Sequence, residues 1–235
     1  MRDAIDAVNW HAVPGRPGWY EPDRVRHGLH VLAGAANRVR AAEAGALLGG
    51  GGIVHGHSGA VFPAAAVATP LLLDIAEHGH PAARDTALGL VDEALSSWPH
   101  AGYTRLSTPD GMSVPLCCAV AHGIRTRTDF LVGLGKRGRA LLADAAEHWR
   151  FEIQECVAEG DDTAAFGVLS GSFAEGAHPA ELHRRGEPTG PAEVALIYPP
   201  TAGSPEACLR LKGRHPGELP PGTFLLPARC GERVH

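Results

Sequence analysis

The amino-acid sequence predicts a mainly α fold with a smaller β-containing region at its C-terminal end. Two patterns predict it. Up to about residue 150, apolar residues recur at the three-to-four-residue spacing of helices. Beyond that point, short apolar or alternating runs are separated by Gly, Pro, Asp and Glu, as in strands joined by turns. The chain therefore reads as a helical domain, residues 1–150, and a β-rich, Pro/Gly-rich extension, residues 151–235, packed on it.

Ile5, Val8 and Trp10 mark a short amphipathic start. The loop VPGRPGWYEP follows, with Trp19 and Tyr20 placed to pack on the first long helix. Pro22 suits a first helical position. From there to about Leu48, Val25, Leu29, Leu32, Ala36, Val39 and Ala46 form an apolar stripe, with a break expected near Gly34. Residues 49–59, GGGGIVHGHSG, are predicted as a loop, because each Gly costs a helix about 1 kcal/mol relative to Ala. A helix entered at Pro63 bends or restarts at Pro70. After the turn Gly79-His80-Pro81 a second helix runs to about residue 97. Leu71, Leu72, Ile75 and Ala76 then face Ala87, Leu88, Val91 and Leu95. Such a hairpin cannot bury both stripes alone, so neighbours are expected to stack on it as an α-α superhelix. Ser113 and Thr128 offer caps for helices within 113–150. The later runs FEIQECV, AAFGVLSG, EVALIYP, CLRLKG and TFLLPAR read as strands of a small sheet, with Pro-rich edges.

The segment HSGAVFPAAAVATPLLLDIAEHGHPAARDTALGLVDEAL resembles a HEAT-type helical repeat, with Pro81, Arg84, Ala87 and Leu88 in its second helix. It is also similar to bacterial HEAT-like proteins in which a His-x-Gly stretch leads into a Pro-containing helix; here these are His57, Ser58, Gly59 and Pro63. The resemblance covers about one repeat, residues 57–97. It implies a HEAT-like stack with a concave binding face, and no catalytic residue.

Composition narrows the function classes. With 44% hydrophobic and 20% charged residues the chain can bury a real core, which argues against disorder throughout. A net charge of −5 disfavours nucleic acid as a partner, since phosphate contacts need many Lys and Arg. The start, MRDAIDAVNW, has no apolar signal core, and no run is long enough for a transmembrane helix, so a cytoplasmic protein is expected. The cysteines, 117, 118, 156, 208 and 230, are odd in number and form no CxxC pair, which fits neither a disulfide framework nor a zinc ribbon. Cys117 and Cys118 sit in an apolar helical run and read as small hydrophobes. His148, at the end of the last predicted helix, reads as a cap.

Three sets of candidate site residues remain. Gly51, Gly52 and Ser58 could cradle an anion before the next helix, although the loop lacks the Lys of a P-loop. His55 and His57 alternate, and His78 and His80 flank the next turn. Together they are candidates for a divalent metal if the two loops meet at one rim of the stack. Arg125 and Arg127, with Trp19 and Tyr20, are candidates for contact with a protein or peptide partner. The leading expectation is a non-enzymatic protein- or peptide-binding module, with homo-oligomer formation left open. The alternatives are a small-molecule or metal-dependent enzyme using loop 49–59, and a nucleic-acid-processing helical protein, which the acidic charge disfavours.

Overall fold

Prolines and two side-chain caps set the helix starts. Pro22 and Pro81 stand in the first turns of α2 (Pro22–Ala33) and α5 (Pro81–Ser96). Asn37 accepts a hydrogen bond from the Arg40 N–H at 3.0 Å and opens α3 (Arg38–Gly49). His80 Nδ1 accepts from the Ala82 N–H at 3.2 Å and caps α5. The other helices of this part are α1 (Arg2–Asp6), α4 (Ala64–His78), α6 (Leu116–Arg125), α7 (Thr128–Gly133) and α8 (Lys136–Ala146). Two small hairpins, β1 (Val54–His55) with β2 (Ala60–Val61) and β3 (Arg105–Leu106) with β4 (Val114–Pro115), lie between them. This computed structural model describes every residue except 110, 185, 186, 188, 202, 233 and 235.

The expected α-α superhelix is not what forms. In a solenoid each repeat touches only its neighbours. Here α2 packs on α3, α4 and α5, while α6 folds back on α4 and α5, and α8 packs on α5 and α6. α4 buries eight of its 15 residues, too wide a face for one partner, and the helices close around it. They share one core, which includes Leu29, Leu48, Phe62, Leu72, Leu73 and Ile75. The HEAT-like stack is therefore corrected to a globular helical unit. Pro70 lies inside a continuous α4 and does not restart it.

The C-terminal region is a closed barrel, not a small sheet. Its strands are β5 (Arg150–Glu159), β6 (Asp162–Ser170), β7 (Ala177–His183), β8 (Gly190–Tyr198), β9 (Glu206–Leu211) and β10 (Phe224–Pro227). They are ordered β10-β5-β6-β9-β8-β7, with β7 closing on β10 and every pairing antiparallel. Closure removes the edges that the Pro content suggested. Pro179 and Pro227 both sit within paired strands. With strand making up 25% of the molecule against 43% helix, the fold is mixed and not mainly α. Phe151, Ile153, Ala165, Leu182, Leu209 and Leu225 fill the barrel. Of its strands, β7 gave no apolar run in the sequence, because AHPAELH is half polar.

A third apolar cluster joins the two parts. It is made of Val114, Cys117 and Cys118 from the helical side, and Phe224, Leu226 and Cys230 from the end of the barrel and the short helix α9 (Ala228–Gly231). Beside it, Arg105 makes a two-pronged ion pair with Glu181 of β7, at 2.6 and 2.8 Å. No helix among the described residues is long and apolar enough to cross a membrane.

Candidate metal centre

β4 delivers the chain directly into α6, so Cys117 and Cys118 lie in the first turn of that helix, facing the barrel. His148 lies between the end of α8 and the start of β5. Cys230 comes from α9, which leaves β10 at Pro227 and doubles back towards α6 and β4. These three distant segments converge. One ligand atom from each of Cys117, Cys118, His148 and Cys230 lies within 4.8 Å of all the others. His148 Nδ1 is 3.3 Å from Cys230 Sγ. All four residues are buried, none more than 7% exposed.

The set fits a zinc ion. Zinc takes four N or S donors in a tetrahedron, with Zn–S about 2.3 Å, so its sulfur ligands stand about 3.8 Å apart. Donor atoms already gathered within 4.8 Å need only a small contraction. Three soft thiolates with one imidazole select zinc over the hard cations, which prefer oxygen.

The electrostatics point the same way. Hydrogen bonds from the Cys118 and Cys230 thiols draw Cys117 well below the ordinary thiol range, although burial opposes this. Burial pushes Cys118 up, and proximity to the Cys117 sulfur pushes Cys230 up to about 12. Three sulfurs in one dry space cannot all ionise without a cation. Arg125 closes the site on the helical side. Its Nη1 donates to the carbonyl oxygens of Ala145 and His148 at 2.7 and 3.0 Å. Its Nε and Nη2 are buried with no hydrogen-bond acceptor among the described residues. Burial lowers its pKa, and the Cys118 sulfur nearby raises it. Zn²⁺ with three thiolates carries a net charge of −1, which this guanidinium would balance.

A cavity of about 370 Å³ adjoins the centre, with Cys118 in its wall. Ala66, Val67 and Pro70 of α4, Ala119 and His122 of α6, and Leu226 of β10 are among its other lining residues.

The sequence-predicted candidates are placed elsewhere. His55 and His57 lie on the β1–β2 hairpin, with rings 5.9 Å apart, just before α4. His78 ends α4, and His80 follows it. A 15-residue helix spans about 22 Å, so the two histidine pairs stand at opposite ends of it. They do not form one site. The glycine loop is built into the core, with Gly51 and Gly52 buried. Gly51 N–H donates to Val54 O at 3.1 Å, and Glu21 N–H donates to Gly51 O at 2.8 Å. Gly52 backs onto the end of α3, where a Cβ would meet Leu48 at 2.9 Å. Ser58 Oγ accepts from Ala60 N–H and contacts His55 Nδ1 at 3.0 Å, and β2 separates it from α4.

Of the partner-contact candidates, Tyr20 is buried, donates to the Trp10 carbonyl at 2.9 Å and has its phenol pushed up to about 12 by burial. Trp19 is half-buried between His55, stacked at 4.3 Å, and the Arg16 guanidinium at 3.9 Å. Arg125 is the clamp just described. Arg127 pairs with Glu77 and Asp74. The residues the sequence did not assemble are Cys117, Cys118, His148 and Cys230. The signals were an adjacent Cys pair and a lone late Cys, but 82 residues separate His148 from Cys230, far outside any zinc-motif spacing.

No family model, no curated protein and no solved structure matches the chain.

Proposed function

We propose that the protein is a non-enzymatic, zinc-stapled binding module. A Cys₃His zinc ion holds the helical unit and the barrel in one arrangement, and a protein or peptide partner is met on the outer surface. The observation that carries this reading is the convergence of Cys117, Cys118, His148 and Cys230, all buried, from three segments of the chain. Four protein donors fill the shell of tetrahedral zinc, and a closed shell is the mark of a structural site; a catalytic one keeps a position open. Thiolate ligands need reduced cysteines, which suits the cytoplasm.

The test is zinc per chain by mass spectrometry, with thermal unfolding before and after a strong chelator. One zinc per chain is expected, lost in Cys230→Ser and kept in Cys156→Ser, together with a lower melting temperature after chelation. A wild-type chain that stays metal-free after dialysis against zinc overturns the reading.

One observation favours a second reading, that of a metal-dependent enzyme: the cavity against Cys118. It predicts that the visible spectrum of the cobalt-substituted protein shifts when a small anion such as azide is added. An unchanged spectrum keeps the shell closed.

A further inference from the structure

One row of residues crosses four strands of the barrel at the same level. Glu155 of β5 pairs with Phe166 of β6, Phe166 with Cys208 of β9, and Cys208 with Tyr198 of β8. Directly paired residues point to the same face of a sheet. This face is the outer one: Phe166 is 40% and Tyr198 65% exposed, with Cys208 covered between them. The row floors a groove of about 380 Å³, which Glu206 also lines.

Three features separate this groove from ordinary barrel surface. First, two large aromatics stand exposed on either side of one short, buried residue. Second, both irregularities of the barrel ladders fall beside it, between Ile153 and Glu155 on β5 and between Leu196 and Tyr198 on β8. Bulges re-aim side chains and concentrate at functional surfaces. Third, Glu155 and Glu206 are exposed carboxylates with no ion-pair partner among the described residues. The nearest base on β9, Arg210, is held instead by Glu159 at 3.0 Å.

From these we infer that the groove over Phe166, Cys208 and Tyr198 is a binding site for a basic peptide segment, taking an Arg or Lys side chain between the two rings and the two carboxylates. The faces of Phe and Tyr attract a cation, and Arg also stacks flat on them. Glu155 and Glu206 supply opposite charge at the rim. Because the barrel is closed, a partner cannot add a strand at an edge, and recognition must run through side chains. The inference rests on the binding-module reading, which it deepens by naming the partner chemistry, and it uses none of the candidate zinc ligands.

The test uses the full chain and a fluorescein-labelled hexa-arginine peptide, followed by fluorescence anisotropy at near-physiological salt. Saturable binding is expected. Tyr198→Ala and Phe166→Ala should each weaken it roughly two- to fivefold, the range for one cation–π contact. Glu155→Gln with Glu206→Gln should weaken it more than Asp3→Asn with Glu93→Gln, which removes the same charge elsewhere. All these side chains are exposed, so folding should be retained, as checked by circular dichroism. No binding by the wild type, no effect of either aromatic variant, or equal effects of the two charge pairs would each overturn the proposal. Zinc content of the same preparations is read separately, so failure of the groove and failure of the zinc reading remain distinct results.

Discussion

Arg125 Nη1 lies 3.0 Å from the carbonyl oxygen of His148, reaching from the end of α6 to the residue that brings the imidazole into the Cys cluster. The same nitrogen bonds the Ala145 carbonyl, which also accepts from the His148 N–H at 3.3 Å, so one guanidinium reinforces the C-terminal turn of α8. The backbone of a candidate ligand is thus fixed by the helix that carries two others.

Arg125→Leu should therefore act on the metal as well as the fold. Loss of such supporting contacts typically lowers metal affinity 10- to 100-fold. Two charge-assisted hydrogen bonds to buried carbonyls also go, costing about 2–3 kcal/mol of stability. Zinc competition with a chromophoric chelator reads the first effect, and urea unfolding reads the second. A variant that loses stability but holds zinc as tightly as wild type would detach Arg125 from the centre.

The histidines of the glycine hairpin give the opposite expectation. His55→Ala with His57→Ala should leave zinc content unchanged, because neither residue lies in the cluster. Some stability should be lost, since Trp19 loses its stacking partner. Elemental analysis of the purified variant decides it; loss of the metal would return the site to that loop.

Glu181 links pH to the joint between the two parts. Burial alone would raise its pKa, but the ion pair with Arg105 and the nearby His183 outweigh this and hold it near 2, against an ordinary 4.5. A carboxylate depressed in the folded state adds stability that is complete above the unfolded pKa. That contribution should fade as pH falls from about 4.5 towards 2. Glu181→Gln should remove this slope relative to wild type and cost about 1–3 kcal/mol at neutral pH, by leaving Arg105 without its carboxylate. Denaturant unfolding of both proteins across pH 3 to 7 tests it, and parallel curves would refute it.

Gly231 follows Cys230 and lies against the same ion pair. A Cβ there would overlap the Arg105 guanidinium and the Glu181 carboxylate, both held in a two-pronged contact with little room to give. Gly231→Ala should lower the melting temperature and weaken zinc retention. Gly89→Ala is the matched control, since Gly89 lies on α5 with open space around it. An effect no larger than the control would mean that α9 moves freely.

Much of the secondary structure was legible in the sequence because its signals are local. Pro22 and Pro81 start helices where their fixed φ suits, the break near Gly34 separates α2 from α3, and the turn before Pro81 joins α4 to α5. Each of the five apolar runs after residue 150 holds a strand, the last passing from β10 into α9 at Ala228. Local patterns of this kind depend on neighbours three or four residues away, or on alternate residues, and need no knowledge of the rest of the chain. How the elements assemble is another matter. The same apolar stripes on α4 and α5 serve a superhelix or a globular unit, and the contacts of α2 and α6 with both helices chose the globular one. The barrel closes through β7, whose polar and Pro-containing run hid it. The candidate metal centre lies wholly in this second class. Cys117 and Cys118 look like core residues in their helix and His148 like a helix cap, and Cys230 stands alone; only the return of α9 across the joint brings their donor atoms together. Ligand geometry is a property of distance in space, and here chain separations of 82 and 113 residues carry none of it.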